Sequence, residues 1–265
     1  MNVALIATDI DGTFLRDDRH FDHDRFQAQL DKMNANGQHF VVASGNQLQH
    51  CIDVFDKING EFTYVAENGS LVIDNHGHIL HESLLAGPLV DELLTYVATT
   101  PELAGASISI SGKQGSYLRP QDDNEIMRYF LSKRHVIDDL TNIDDHIYKA
   151  TFSWDDEQAN LHAKMINDHF AGQLRATVSG GGGFDVIAPH VNKATGLAYL
   201  QDHWQVAPSA TAAFGDNGND IEMLSEADYS YAMKNAIAPV KAAANYETRF
   251  DNNHDGVLDV IDTLI

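Results

Sequence analysis

The chain opens with a short apolar run, Val3 to Ala7, that leads into Asp9-Ile10-Asp11-Gly12-Thr13-Phe14-Leu15. The run reads as a buried strand over 3–8. Two carboxylates two residues apart at the end of a strand point roughly the same way. Gly12 then lets the chain turn sharply. This arrangement constrains the fold, because open α/β proteins keep their sites at the carboxyl edge of a sheet. Taken alone, the string also fits a strand followed by a polar turn.

The pattern that follows alternates. A helix is expected over 22–36, with Phe26, Leu30 and Met33 on one stripe and Gly37 as a stop. Strands at 39–43 and 62–66 flank a helix at 47–58. After Glu67-Asn68-Gly69, segments 71–73 and 78–81 read as a hairpin. The middle of the chain mixes helices (one after Pro88, then 124–134 and 157–170) with strands near 107–111, 116–119, 148–153, 174–178 and 184–188. Alternation resumes with a helix from Asn192, a strand at 211–214, a helix from Asp220, a strand at 229–232 and helices near 236–243 and from 256. These features predict an α/β fold: a Rossmann-like core with a parallel sheet, formed by 1–82 and 188–265, and an inserted α+β domain over 83–187.

Bulk properties narrow the function. The chain has 265 residues, with 17 basic against 39 acidic and a formal charge of -22. Such a surface repels a nucleic-acid backbone, so no nucleic-acid partner is expected. It also repels an anionic metabolite, unless a metal and a local basic group offset the field. The single cysteine, Cys51, excludes an internal disulfide and fits a reducing cytoplasm. No apolar run has the length of a membrane span, and no basic-then-apolar leader opens the chain.

Three further strings carry chemistry. Val41-Val42-Ala43-Ser44-Gly45-Asn46 ends a strand where a helix begins, so a hydroxyl and free amides form a phosphate-binding corner. An N-cap role for Ser44 or Asn46 is the plainer alternative. Lys193 follows Asn192 at a helix start, where a cation opposes the helix dipole. A lysine there is ordinarily solvated, but an anionic substrate needs a compensating charge. Phe214-Gly215-Asp216-Asn217-Gly218-Asn219-Asp220 follows a short strand and supplies hard oxygen ligands suited to Mg²⁺.

These four pieces, in this order, resemble the haloacid dehalogenase superfamily of phosphotransferases. The position of the insert resembles the Cof-type branch with an α/β cap. The strings VVASGNQ (41–47), AENG (66–69), DVIAP (185–189) and DNNH (251–254) are similar to those of bacterial sugar-phosphate phosphatases. Asn46 stands where many relatives carry arginine, and the sugar-phosphatase subgroup is similar in having asparagine there. The resemblance implies that Asp9 is the nucleophile and Asp11 the general acid and then base. It implies Mg²⁺ held by the Asp9 carboxylate, the Asp11 backbone carbonyl and Asp216, with Asp220 supporting the metal from behind. Ser44, Gly45, Lys193 and Asn219 are implied to hold the phosphoryl oxygens.

The expected substrate is a small sugar phosphate. Alternatives are another phosphorylated metabolite (pyridoxal phosphate or flavin mononucleotide) or non-catalytic sensing of a sugar phosphate. A monomer or weak homo-oligomer is expected. Candidate leaving-group contacts lie near 107–115 and 180–184. Competing signals are weaker. Asp251 to Gly256 partly matches a calcium loop, but Asp262 stands where glutamate is usual. His76, His78 and His81 sit on a predicted exposed hairpin. The glycines of 180–183 lack the strand-to-helix context of a dinucleotide fingerprint. Cys51 reads as packing, and Trp154 and Trp204 fit either core or substrate contacts.

Overall fold

The computed structural model describes residues 3–155, 157–180 and 182–265; Gly181, in the predicted glycine run, lies outside the described residues. The first portion runs β1 (Leu5–Thr8), α1 (His23–Asn36), β2 (His39–Ala43), α2 (Leu48–Val54), β3 (Thr63–Ala66), β4 (Leu71–Asp74) and β5 (Ile79–Glu82). The middle contributes α3 (Gly87–Thr99), β6 (Ser107–Gly112), β7 (Gly115–Leu118), α4 (Glu125–Phe130), β8 (Arg134–Val136), β9 (Ile147–Ser153), α5 (Ala159–His169), β10 (Arg175–Gly180) and β11 (Gly183–Ile187). The last portion is α6 (Lys193–Trp204), β12 (Thr211–Gly215), α7 (Ile221–Ser225), β13 (Tyr229–Ala232), α8 (Ala238–Ala243), β14 (Tyr246–Glu247) and α9 (Gly256–Leu264).

Two sheets result. The first has the order β14-β13-β12-β1-β2-β3-β4-β5, parallel from β14 to β3 and antiparallel beyond. The second, built from the middle segment, has the order β10-β11-β9-β6-β7-β8. Each sheet covers its own apolar cluster: one centred on Leu5, Ile6, Val41, Val42 and Phe214, the other on Ile110, Ala150, Phe152 and Val186. Among the described residues no helix is long and apolar enough to cross a membrane.

Local chemistry accounts for the main elements. Asp22 caps α1 by accepting from the Arg25 amide, and Gly37 ends it in the left-handed region at φ 71°. Asn192 and Thr195 form a reciprocal capping box at the start of α6. Two predicted helices are shorter in the structure. The one expected to Ile58 ends at Val54, because the Phe55 amide folds back on the Cys51 and Ile52 carbonyls as its ring joins the phenylalanine cluster. The one expected to Arg134 ends at Phe130. The Lys133 carbonyl is taken by the Ser116 amide, and Arg134–Val136 pairs with β7 as a strand. The two-residue β14 is too short for any periodic signal.

β1 lies between β12 and β2, so the carboxyl ends of three parallel strands meet at one edge. The turn Glu67–Gly69 closes this edge. All three of its residues have positive φ (53°, 57° and 97°), a cost of about 1–3 kcal/mol for each non-glycine. A Cβ on Gly69 would lie 2.1 Å from the Asn192 carbonyl oxygen, whereas one on Gly77, also at positive φ, would meet nothing within 4 Å. Gly69→Ala is therefore expected to lower the unfolding free energy by about 3 kcal/mol or more, and Gly77→Ala by only about 1 kcal/mol. Urea titration of both variants checks this.

Candidate active site

The turn after β1 is pinned from behind. Phe14 is buried against Phe21, Phe26 and Phe55, with ring centroids 5.0, 4.8 and 5.4 Å away. The Phe14 and Leu15 amides both donate to the Ile10 carbonyl, which tightens the turn. Asp9 and Asp11 are thereby held at the carboxyl end of β1. Ser44 and Gly45 follow β2, Asp216 and Asn219 follow β12, and Lys193 opens α6. The structure brings all of these predicted residues to one edge.

Lys193 organises the acids. Its Nζ donates to Asp9 Oδ1 and to Asp220 Oδ1, each at 2.6 Å, and the side chain is fully buried. Asp220 Oδ2 in turn accepts from the Asp216 and Asn217 amides. Thr13 Oγ1 donates to Asp216 Oδ1 at 2.8 Å. Asp11 is served separately: Asn46 Nδ2 donates to its Oδ2 at 2.6 Å. Asn219 Nδ2 donates to Asn68 Oδ1.

Burial opposes the charge on Lys193, but the Asp220 and Asp9 carboxylates more than offset this and hold its pKa above the ordinary lysine value. One cation does not balance three acids. Burial, and then the charges of Asp220 and Asp216, keep the Asp9 carboxyl well above the usual range despite Lys193. Burial and the Asp220 charge push Asp216 up to about 6.

A cavity of about 430 Å³ opens over these groups. Asp9, Asp11, Ser44, Asp216 and Asn219 line its floor. The second sheet forms the facing wall with a polar ladder. β9 presents Lys149, Thr151 and Ser153 to the cavity, in register with Ser111, Ser109 and Ser107 of β6, of which Ser109 also lines the cavity, while Asp185 of β11 pairs in register with Thr151. The alternate residues Ile108, Ile110, Ala150 and Phe152 enter the second apolar cluster. A third side comes from α4 through Ile126, Met127 and Phe130.

A family model for haloacid dehalogenase-like hydrolases matches residues 6–261. The chain belongs to this family. It is 37% identical over 268 residues to the 5-amino-6-(5-phospho-D-ribitylamino)uracil phosphatase YbjI of Escherichia coli (strain K12), a match covering 100% of this chain and 97% of that protein. The Bacillus subtilis (strain 168) protein of the same enzyme name, YcsE, is 24% identical, covering 98% of this chain and 95% of its own. The solved structure of SMU.1108c from Streptococcus mutans UA159 superposes with a TM-score of 0.90 at 33% identity, covering 98% of both chains.

This hydrolase is a phosphatase acting on a phosphorylated substrate, and its family generally uses a divalent metal. The residues present fit such an ion. Carboxylate oxygens of Asp9, Asp216 and Asp220 fall within 4.8 Å of one another. Both oxygens of Asp220 are engaged by Lys193 and backbone amides, which leaves Asp9 and Asp216 as the two acids of this trio that line the cavity. The Asp216 carboxylate packs against Gly12, where a Cβ would lie 2.6 Å from its Oδ2.

Residues to which the sequence reading gave no place in the site are Thr13, Glu67, Asn68 and Asp185, all within strings it singled out, and Lys149 and Thr151, which it did not name. The alternation of β9, with a lysine inside an otherwise apolar and hydroxylic strand, was the available signal. The other candidates sit elsewhere. His76 pairs with Glu61 and His78 with Asp74 on the exposed hairpin. Asp255 of the calcium-like string is bound by Arg16. Cys51 is buried, which pushes its thiol pKa up. Trp154 stacks near Phe152 and Phe184, and Trp204 on His39.

Glu67 lies between the two sheets, where Ser111 Oγ donates to its Oε1. Burial pushes its carboxyl from 4.5 up to about 7, against the pull of Lys149 and Ser111. A carboxyl that binds its proton more tightly when folded contributes stability that is full below pH 4.5 and lost as pH rises through 7. Across that window the native chain is expected to lose on the order of 3 kcal/mol relative to Glu67→Gln. Denaturation of the two proteins at pH 4.5, 6 and 8 measures the difference.

Proposed function

We propose that this chain is a Mg²⁺-dependent phosphatase of small sugar phosphates and related polyol phosphates, working through an aspartyl-phosphate on Asp9. The reading is carried by one observation: two acids at the end of β1 line the same cavity but have different partners. Asp9 is held by a buried cation, and Asp11 by a neutral amide. Environments that differ in this way suit two carboxylates to two roles.

In this mechanism Asp9 attacks phosphorus in line with the leaving oxygen. Asp11 donates a proton to that oxygen as it departs. The Asn46 amide occupies Asp11 Oδ2, so Oδ1 carries the proton. Asp11 then takes a proton from the water that cleaves the aspartyl-phosphate. Ser44, the Gly45 loop and Asn219 bind the phosphoryl oxygens, and Lys193 offsets charge beside the nucleophile. The Asp9 carboxylate, the Asp11 backbone carbonyl and Asp216 would hold Mg²⁺, with Asp220 behind them, and the bound ion would supply screening of the repulsion between carboxylate and phosphate. Residues 83–187 act as the specificity cap over a core of 1–82 and 188–265, excluding water from the first step.

The α4 wall favours a second, narrower reading. Ile126 is 69% exposed and lines the cavity beside Met127 and Phe130, facing the ladder of hydroxyls. One polar and one apolar wall suit a phosphorylated polyol chain that carries a flat ring. YbjI and YcsE are named for such a compound, and flavin mononucleotide has the same plan.

The test is phosphate release from sugar phosphates, a ribitylamino-pyrimidine phosphate, flavin mononucleotide and pyridoxal phosphate, with Mg²⁺ and with chelator. Chelation is expected to abolish release, and Asp9→Asn to lower it by roughly 10³-fold or more. Binding without release from any compound would favour a sensor instead. Ile126→Glu is expected to cut kcat/KM roughly tenfold for ring-bearing substrates while leaving plain sugar phosphates within about twofold.

A further inference from the structure

The loop that binds phosphate in the proposed mechanism is held by its carbonyls. The Ser44 carbonyl accepts from the Asn68 amide at 3.0 Å, and the Asn46 carbonyl from the Glu67 amide at 3.1 Å. Both donors belong to the first sheet's own edge. The Gly45 carbonyl between them accepts from Lys149 Nζ at 2.5 Å, and Lys149 belongs to β9 of the inserted segment.

Lys149 is aimed rather than loose. It is 6% exposed, its Nζ also lies 3.2 Å from Asp185 Oδ2, and Glu67 Oε2 stands 3.8 Å away. Asp185 is itself fixed by Thr151 Oγ1 and Asn68 Nδ2, each at 2.6 Å. The Asn68 side chain fills the space beside Gly45, where a Cβ would fall 2.8 Å from its Oδ1.

The Gly45–Asn46 peptide is planar, so a donor on its carbonyl fixes the direction of the Asn46 N–H and the origin of the Asn46 side chain. That N–H donates to Ser44 Oγ, and that side chain donates to Asp11. We propose that Lys149 is a positioning residue for the acid–base step. Seated on the Gly45 carbonyl, it holds the Asn46 amide on Asp11, so the step runs only when the inserted segment is docked. The proposal rests on the reading of Asp11 as the acid–base group.

The test is a double-mutant cycle of Lys149→Met and Asn46→Ala on the full chain with Mg²⁺. The probes are the best sugar phosphate from the panel and para-nitrophenyl phosphate, whose leaving group departs without protonation. Each single variant is expected to lower kcat on the sugar phosphate roughly 30-fold with KM within about threefold. With para-nitrophenyl phosphate, each is expected to show a burst of nitrophenolate followed by slow turnover, because only hydrolysis of the aspartyl-phosphate still needs Asp11. The double variant should be within about twofold of either single one, since both act along one chain of contacts.

Losses that multiply would overturn the proposal. So would a raised KM with kcat retained, which would make Lys149 a substrate contact. If circular dichroism shows Lys149→Met unfolded, Lys149→Gln takes its place in the cycle with the same expected outcomes. Absence of release by the native chain sinks the phosphatase reading itself, and this proposal with it.

Discussion

A single buried ammonium group, that of Lys193, makes the rest of the arrangement possible. It bridges Asp9 and Asp220 at 2.6 Å each, with no exposure to solvent. A lysine in the first turn of a helix opposes the dipole, and burying it costs several kcal/mol of hydration. Two carboxylates repay that cost. Conversely, without it Asp9, Asp216 and Asp220 would crowd one sheet edge with no cation among them. The capping box of Asn192 and Thr195, the clearance at Gly69 and the amides that Asp220 collects all serve to bring this one group to its place.

The second sheet meets the first mainly through polar contacts; Tyr148 of β9 is its buried side chain in the first sheet's apolar cluster. Gln47 bonds to Ser116 Oγ and the Lys133 carbonyl, Ser111 to Glu67, and Asn68 to Asp185. Such contacts are each worth little net when made, yet expensive if one buried partner is removed. The interface therefore has a sharply defined geometry with modest adhesion. That combination suits a cavity whose walls come from both sheets and must admit a substrate.

Much of the architecture was legible in the sequence. The apolar run before Asp9, the stripe of Phe26, Leu30 and Met33, and the strand at His39–Ala43 carry unambiguous periods. Three of the four site strings sit at a strand end, where side chains have few places to go, and the fourth, at Lys193, opens a helix. The losses come from contacts between residues far apart in sequence. A helix over 124–134 was expected, but a glutamine 86 residues away in sequence claims the backbone of Lys133. Lys149, Asp185 and Glu67 act through contacts across the two sheets, and no spacing along the chain encodes that juxtaposition. Lys193 was readable as functional by charge balance and by the family resemblance, but its burial was not, since that depends on acids far from it in sequence.

The register of β1 also bears on how the molecule comes to exist. Leu5 pairs with Thr211 and Thr8 with Phe214, so the central strand of the first sheet waits for a neighbour that follows the inserted segment in the chain. Until then one side of β1 is an open edge, and the inserted segment, whose strands pair only among themselves, has the chance to fold first. Asp9 and Asp216 stay apart through this period. The cluster of negative charge cannot assemble until Asp216 and Asp220 are made, and Lys193 precedes both in the chain, so the nascent protein never has to hold those acids together unaided.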